Sequence, residues 1–248
     1  MTKVRDITAF LDELFPRETA ESYDNPGLLA GSYEREVTKC VVTLDATLDK
    51  VQVAVDESAE LVISHHPLIF GGISDVNEEN ICGQILSKLI RSEISLFAAH
   101  TNLDKNHDFS NDILAGAIGG SNIAHLEEIE CGVICDIEGG LSVKSFCDKL
   151  IDTLGTSGVI TYADPAKSVA KAFVQGGAFD EDVIPYLKSN GVDTVVSGEI
   201  KHHVMLLLEQ SGIAALAAGH KATEDVFMIH LADVLTTKFP DVSFLVRL

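Results

Sequence analysis

The residues best suited to chemistry are two adjacent histidines, His65 and His66, which follow the apolar run 61–63. Successive side chains of a strand point to opposite faces, so both imidazoles can serve one site only where the strand ends. Pro67 predicts that end, because proline has no N–H to donate and keeps the preceding residue out of the helical region. Imidazole binds metals, and open α/β sheets bind ligands at the carboxyl ends of their strands. The pair therefore predicts a metal site, with two loop histidines hydrogen-bonded to backbone as the alternative.

A second polar cluster, from His100 to Asp104, follows the apolar run 94–99. Neighbouring parallel strands bring their carboxyl ends to one edge, so Asp104 can face His65 and His66 there. A carboxylate at that place is a ligand that a cation needs. The alternative is a turn that Asn102 and Asp104 stabilise through bonds to nearby backbone.

Two later clusters repeat this arrangement at the ends of predicted strands. Residues 197–203 follow the run 192–196, and residues 219–224 follow the run 213–218. His220 and Glu224 are four residues apart, so a helix that begins near Lys221 would point both side chains towards the strand edge. The alternative for Glu224 is a capping role in the first helical turn, which the helix dipole favours.

These strand ends together supply three imidazoles and two carboxylates, namely His65, His66, Asp104, His220 and Glu224. The set exceeds the needs of one tetrahedral zinc ion and suits two divalent cations that share carboxylate and water bridges. Two such cations would leave net positive charge, so an anion or hydroxide should bind there. Signature motifs of phosphate-binding loops, dinucleotide-binding folds, zinc proteases and serine hydrolases are missing. The residues therefore indicate hydrolysis: opening of a purine ring, or cleavage of an amide-like or phosphoester bond.

Segments with the apolar spacing of a helix alternate along the chain with segments typical of strands. This order predicts an α/β fold with βαβ units and mainly parallel sheets. We expect one domain over 1–248, made of two interlocked α/β lobes at about 1–120 and 121–248, with the metal site at strand carboxyl ends between the lobes. The strands are predicted at 39–45, 61–66, 94–99, 131–137, 159–162, 169–175, 192–196 and 213–218. Amphipathic helices are predicted between them, beginning with one at 4–14, and Thr47 is predicted to cap the second.

The composition of the chain limits the partners and the cellular location that we expect. The net charge of −20 and the lack of a basic run disfavour direct nucleic-acid binding, while a local positive centre can still hold a small anionic or nucleotide-like ligand. No stretch approaches the ~18 uncharged residues of a membrane span. The first residues lack the apolar core of a signal peptide, and five cysteines without a Cys-x-x-Cys pair suit reduced thiols. We therefore expect a cytoplasmic protein without membrane contact.

Ordered motifs across nearly the whole chain resemble the GTP cyclohydrolase type 2 homologue family, also called the NGG-interacting-factor-like family. They are Tyr23-Asp24-Asn25 with Gly27-Leu28, Ser64-His65-His66-Pro67-Leu68-Ile69-Phe70, His100-Thr101-Asn102-Leu103-Asp104, Ser197-Gly198-Glu199 with His202-His203, and Gly219-His220 with Thr223-Glu224. The resemblance implies two divalent metal ions per subunit, with the five residues above as ligands. The metal stays open among iron, manganese, zinc, cobalt and nickel. The resemblance also implies a toroidal homohexamer.

Three more residues of the same clusters, His100, Glu199 and His202, match no ligand of the family. We interpret them as catalytic residues that shuttle protons or support the metal ligands, with structural hydrogen bonding as the alternative for each. The main hypothesis is a dinuclear-metal-dependent hydrolase of a nucleotide-like small molecule. The alternative is a non-enzymatic, metal-stabilised, ring-forming scaffold or regulatory protein.

Overall fold

Strands and helices alternate along the whole chain in the computed structural model, which describes residues 1–248. The strands are β1 Gly27–Ala30, β2 Lys39–Thr43, β3 Leu61–Ser64, β4 Ser95–Ala98, β5 Gly120–Ala124, β6 Val133–Ile137, β7 Lys171–Ala178, β8 Thr194–Glu199, β9 Ala214–Ala217 and β10 Ser243–Val246. The helices are α1 Val4–Leu14, α2 Leu48–Asp56, α3 Ile81–Arg91, α4 Thr101–Asp104, α5 Ser110–Ala117, α6 Val143–Leu154, α7 Ile184–Ser189, α8 His202–Gln210 and α9 His220–Lys238. The α/β class predicted from the sequence is confirmed.

The chain divides into two compact units. Unit 1 comprises residues 1–106 together with 228–248, and unit 2 comprises residues 107–227. This division differs from the approximate lobes 1–120 and 121–248, because residues 107–120 belong to unit 2 and the C-terminal segment 228–248 belongs to unit 1. Strand β10 is the physical reason, since it pairs in parallel with β2, far from it in sequence.

Unit 1 contains a five-stranded sheet in the order β1-β4-β3-β2-β10. Four of these strands run parallel, and β1 pairs antiparallel with β4 at one edge. Every residue of β3 and β4 is buried, which explains why both read as continuous apolar runs without alternation. Helices α2 and α3 contribute Val51, Ala54, Ile85 and Leu89 to the core against this sheet. The parallel register brings the ends of β3 and β4 to the same edge.

Unit 2 contains a second five-stranded sheet in the order β5-β6-β7-β8-β9. Its strands β7, β8 and β9 run parallel, whereas β5, β6 and β7 pair antiparallel. One apolar cluster includes Phe146 and Leu150 of α6, and another includes Val204 and Leu208 of α8. The sheet of unit 2 is therefore mixed, and its parallel half ends in the polar residues that follow β8 and β9.

Some short elements differ from the sequence prediction. The predicted strand at 159–162 is wrong, because Ile160 makes only an isolated bridge with Ala217. Strands β1, β5 and β10 were not predicted, because they are short and mostly only partly buried, whereas the equally short β3, β4 and β9 are buried throughout. The histidine strand ends at Ser64, before both histidines.

The helix ends agree well with the sequence prediction. Thr47 caps α2 by accepting the backbone N–H of Lys50, as predicted. Helix α9 begins at His220, one residue before the predicted start, which places His220 and Glu224 one turn apart. None of the helices combines the length and hydropathy needed to cross a membrane.

Candidate metal centre

Three histidine side chains lie together at the carboxyl edge of the sheet in unit 1. His65 and His66 follow β3, and His100 follows β4. Their ring centroids are 4.9 to 5.3 Å apart, and one ring nitrogen from each lies within 4.8 Å of the others. His65 is fully buried. Imidazole nitrogens at this spacing can bind one cation or two neighbouring ones.

Each of these imidazoles is oriented by an oxygen acceptor at Nδ1. His65 Nδ1 lies 2.8 Å from the carbonyl oxygen of Ala99, and a carbonyl only accepts, so Nδ1 carries the proton. His66 Nδ1 lies 2.8 Å from Asp45 Oδ1, and His100 Nδ1 lies 2.9 Å from Asp24 Oδ1. Nδ1–H donation places the unprotonated Nε2 lone pair on the opposite side of each ring, which is how metal-binding histidines are usually held.

Asp24 and Asp45 are site residues whose roles the sequence did not reveal. The side chain of Asp24 is shielded from solvent and accepts from the backbone N–H of Thr101 as well as from His100. Burial acts to raise the pKa of Asp24, but the hydrogen bonds from His100 and Thr101 outweigh it and hold that pKa well below its usual range. Asp24 is therefore a carboxylate at neutral pH. Two features of the sequence could have indicated these site residues: Asp24 lies in a turn-rich motif, and Asp45 lies at a strand end.

The carboxylate of Asp104 belongs to the same edge of unit 1. Asp104 ends the short helix α4, and its Oδ1 lies 3.6 Å from His65 Nε2. The structure thus brings His65, His66, His100 and Asp104 together within unit 1. The ring of His100, interpreted from the sequence as catalytic, lies 5.1 Å from that of His65, nearly as close as the ring of His66 at 4.9 Å.

In unit 2 the predicted ligands His220 and Glu224 meet in the first turn of α9. His220 Nε2 lies 3.1 Å from Glu224 Oε2, and His220 Nδ1 lies 3.5 Å from Glu199 Oε1. The Glu224 side chain is 5% exposed, whereas that of Glu199 is 67% exposed. Glu224 thus offers a buried carboxylate beside an imidazole, and Glu199 lies on the accessible side of the same histidine.

Two glycines make room for this pair. Gly177, with φ +63°, lies so close that a Cβ there would overlap the Glu224 carboxylate and approach His220 Nε2 to 3.3 Å. A Cβ at Gly198 would lie 2.6 Å from the carbonyl oxygen of Gly177 and 2.7 Å from His220 Cα. Thr223 fixes the arrangement, because its hydroxyl lies 2.8 Å from the His220 carbonyl oxygen and 3.1 Å from the Gly177 nitrogen. The backbone of unit 2 is therefore shaped to hold these two side chains.

Replacement of Gly198 by alanine is expected to lower the free energy of unfolding by about 1–3 kcal/mol, the usual cost of overpacking. The added methyl group would meet backbone atoms, which cannot rotate away. Urea denaturation followed by circular dichroism measures the loss. Gly116→Ala is the matched control, because Gly116 lies in α5 and its added Cβ would meet no atom within 4 Å beyond its chain neighbours and the backbone of its own helix. Equal stability of the two variants would contradict the tight approach at Gly198.

A cavity of about 590 Å³ in unit 2 adjoins this pair, and Glu199, His202 and His220 line it. His202 begins α8, and its Nδ1 lies 2.9 Å from the hydroxyl oxygen of Tyr162. His203, the next residue, instead contacts Glu181. Of the predicted catalytic residues, Glu199 and His202 thus share a cavity in unit 2, while His100 lies in unit 1.

The residues of both units fit a divalent cation by their chemistry. Unit 1 supplies imidazoles whose Nδ1 atoms are engaged and a nearby carboxylate, and unit 2 supplies an imidazole and a buried carboxylate in a cradle that a Cβ would fill. Imidazole and carboxylate together suit iron, manganese, zinc, cobalt or nickel.

Relatives of known sequence cover most of the chain. Proteins called GTP cyclohydrolase 1 type 2 homolog are similar to it: that of Clostridium acetobutylicum is 27% identical over 229 residues, spanning 90% of this chain and 85% of the relative. That of Streptomyces coelicolor is 29% identical over 235 residues, spanning 90% and 82%.

Solved structures show the same fold. The Staphylococcus aureus hypothetical protein SA1388 superposes with a TM-score of 0.91 at 26% identity, covering 99% of this chain and 96% of that one. Reduced HcgD from Methanocaldococcus jannaschii gives a TM-score of 0.83 at 25% identity, covering 99% and 97%. The family model for Duf34/NIF3 (NGG1p interacting factor 3) matches residues 2–248. The resemblance seen in the sequence motifs is thereby confirmed, and the chain belongs to the Duf34/NIF3 family.

Proposed function

We propose that the protein binds two divalent cations through His65, His66, Asp104, His220 and Glu224 and hydrolyses a nucleotide-like small molecule. The observation that carries the proposal is the histidine cluster of unit 1, in which every Nδ1 meets an oxygen acceptor. Hydrogen bonding of this kind fixes the tautomer that leaves Nε2 able to bind a metal. The contact between His220 and the buried carboxylate of Glu224 in unit 2 supports the same function, as do the names of the relatives, GTP cyclohydrolase 1 type 2 homolog.

In such a hydrolase, some side chains would orient the imidazoles and others would transfer protons. Asp45 holds the ring of His66, and Asp24 holds the ring of His100, so that neither imidazole has to reorganise during the reaction. Glu199 is accessible and lies beside His220, which suits it to accept a proton from an attacking water. His100 and His202 are the further groups able to exchange protons. Divalent ions held by the five ligands would acidify a bound water and polarise the bond under attack.

The cavity in unit 2 suits a small-molecule substrate. Its volume of about 590 Å³ falls within the ~300–1,000 Å³ of typical ligand sites. Within a chain of net charge −20, bound cations would form a local positive centre that attracts an anionic group. A cytoplasmic location and a homohexameric ring are further parts of the proposal, and light scattering of the purified protein measures the subunit number.

Metal analysis combined with a turnover screen tests the proposed function. The protein as purified should contain two divalent ions per chain, and dialysis against a chelator should remove both the ions and the activity. Re-addition of iron, manganese, zinc, cobalt or nickel one at a time should restore turnover with at least one of them. The substrate panel should include nucleotides, pterins, amides and phosphoesters. A chain that binds no divalent ion under any of these conditions would contradict the proposal.

Asp45→Asn is expected to weaken metal binding about 10–100-fold, the usual cost of losing the hydrogen-bond partner of a ligating histidine. The neutral amide keeps the shape of the side chain but no longer stabilises a polarised His66 ring. Competition with a chromogenic chelator measures the affinity. Asp56→Asn, on the exposed face of α2, makes the same chemical change away from the histidines and should leave the affinity unchanged. Equal affinities of both variants would show that Asp45 does not support a ligand.

A further inference from the structure

The cavity of unit 2 contains a pair of aromatic side chains that the metal ligands do not explain. Tyr162 and His202 both line it, with their ring centroids 5.6 Å apart and their planes at 73°. The hydroxyl oxygen of Tyr162 lies 2.9 Å from His202 Nδ1. Apolar side chains, including those of Val159, Ile160 and Met205, line the same cavity. The lining thus combines apolar contact with a hydrogen-bonded polar pair, as small-molecule sites do.

Tyr162 is held in place by the edge of the sheet. Ile160, two residues before Tyr162, exchanges two backbone hydrogen bonds with Ala217 of β9, each 2.9 Å long. Farther along the same segment, the hydroxyl of Thr161 accepts the backbone N–H of Ala163. The segment predicted from the sequence as a strand is therefore a short extension fixed to β9, and it carries Tyr162 to the cavity.

The hydrogen bond between Tyr162 and His202 has a preferred direction. A phenol O–H is a stronger acid than a neutral imidazole N–H, and the unprotonated imidazole nitrogen is the stronger acceptor. The hydroxyl therefore donates to Nδ1, which places the single ring proton of a neutral His202 on Nε2. The imidazole becomes a hydrogen-bond donor at the atom that the tyrosine does not contact.

We propose that this cavity binds the planar heterocyclic ring of the substrate. His202 donates a hydrogen bond from Nε2 to a carbonyl oxygen or unprotonated nitrogen of that ring. Tyr162 is the positioning residue that fixes the tautomer of His202. The proposal rests on the proposed function and adds the class of ligand, a nucleobase-like or pterin-like ring. The apolar side chains contact the faces of the ring. His220 and Glu199 line the same cavity, which brings the ring next to the groups assigned to metal binding and proton transfer.

The tautomer of His202 is the first test, and it needs no substrate. In protein labelled with ¹³C at histidine rings, the chemical shift of Cδ2 distinguishes the two neutral tautomers, and His202→Asn identifies the signal among the 9 histidines. We expect the Nε2–H form in the wild type and a mixture in Tyr162→Phe. Tyr186→Phe, which removes a hydroxyl from α7 outside the cavity, should leave the signal unchanged. An unchanged tautomer in Tyr162→Phe would overturn the positioning role.

Binding of guanosine, a probe with the ring and no phosphate, is the second test. Calorimetry on the full chain should give a dissociation constant that rises about tenfold in His202→Asn, the effect of one lost hydrogen bond. Tyr162→Phe should raise the dissociation constant for guanosine by a smaller factor. When combined with His202→Asn, it should cause no further rise. Two results would overturn the ring site: effects of Tyr162→Phe and His202→Asn on the dissociation constant that multiply in the double variant, or no binding of guanosine to the wild type.

These results separate the ring site from the hydrolase. Guanosine binding that depends on both residues in a protein without turnover would support the ring site and contradict the hydrolase. Turnover of a heterocyclic substrate with unchanged KM and kcat in Tyr162→Phe and His202→Asn would support the hydrolase and overturn the ring site.

Discussion

Glu224→Gln should reduce the metal content of the purified protein from two ions per chain to one or none, while the protein stays folded. The substitution removes the negative charge of a side chain that is 5% exposed and keeps its shape within the cradle beside Gly177. A neutral amide is a much weaker ligand for a divalent cation than a carboxylate, and His220 Nε2, 3.1 Å away, would lose the carboxylate beside it. Plasma mass spectrometry measures the metal, and circular dichroism checks the fold.

Glu209→Gln is the matched control for this change, because it alters an exposed glutamate of α8 in the same unit. It should keep both ions. Asp104→Asn makes the corresponding change in unit 1, next to His65 Nε2, and should also lower the metal content. Two ions per chain in both Glu224→Gln and Asp104→Asn would remove these carboxylates from the ligand set.

The parts of the site that could be predicted from sequence are those fixed by local chain geometry. Pro67 predicts that the chain leaves the sheet near His66, and the continuous apolar run before it predicts a strand buried on both faces. The spacing of His220 and Glu224 predicts one helical face, because residues four apart are neighbours on a helix. These relations need no knowledge of the rest of the fold.

The parts that could not be predicted depend on contacts between distant segments. Asp24 reaches His100 across 76 positions, and no local period identifies an aspartate in a turn as the partner of a particular imidazole. Tyr162 meets His202 only because a two-residue bridge fixes its segment to β9. The pairing of β10 with β2 could not be predicted for the same reason, because pairing of distant parallel strands leaves no signal in either segment alone.

Glu199→Gln should abolish most turnover while leaving both metal ions and the subunit number unchanged. The Glu199 carboxylate lies 3.5 Å from His220 Nδ1 and lines the cavity, yet its side chain is 67% exposed, so a purely structural role would contribute little to stability. A group that transfers a proton in the transition state typically contributes ~10²–10⁴-fold in rate. The amide keeps the size of the side chain but cannot accept a proton at neutral pH. Steady-state kinetics on a substrate from the screen measures the loss.

Glu209→Gln again serves as the control and should retain full turnover. If Glu199 instead only stabilises His220, the rate and metal content should fall together, which metal analysis of the same sample detects. If the protein is a scaffold, the wild type has no turnover to lose, and Glu199→Gln should alter only stability or partner binding. Full loading with two ions, combined with no hydrolysis of nucleotides, pterins, amides or phosphoesters under any of the plausible metals, would favour the scaffold, because a metal centre that performs no chemistry then serves to hold the fold or the ring together.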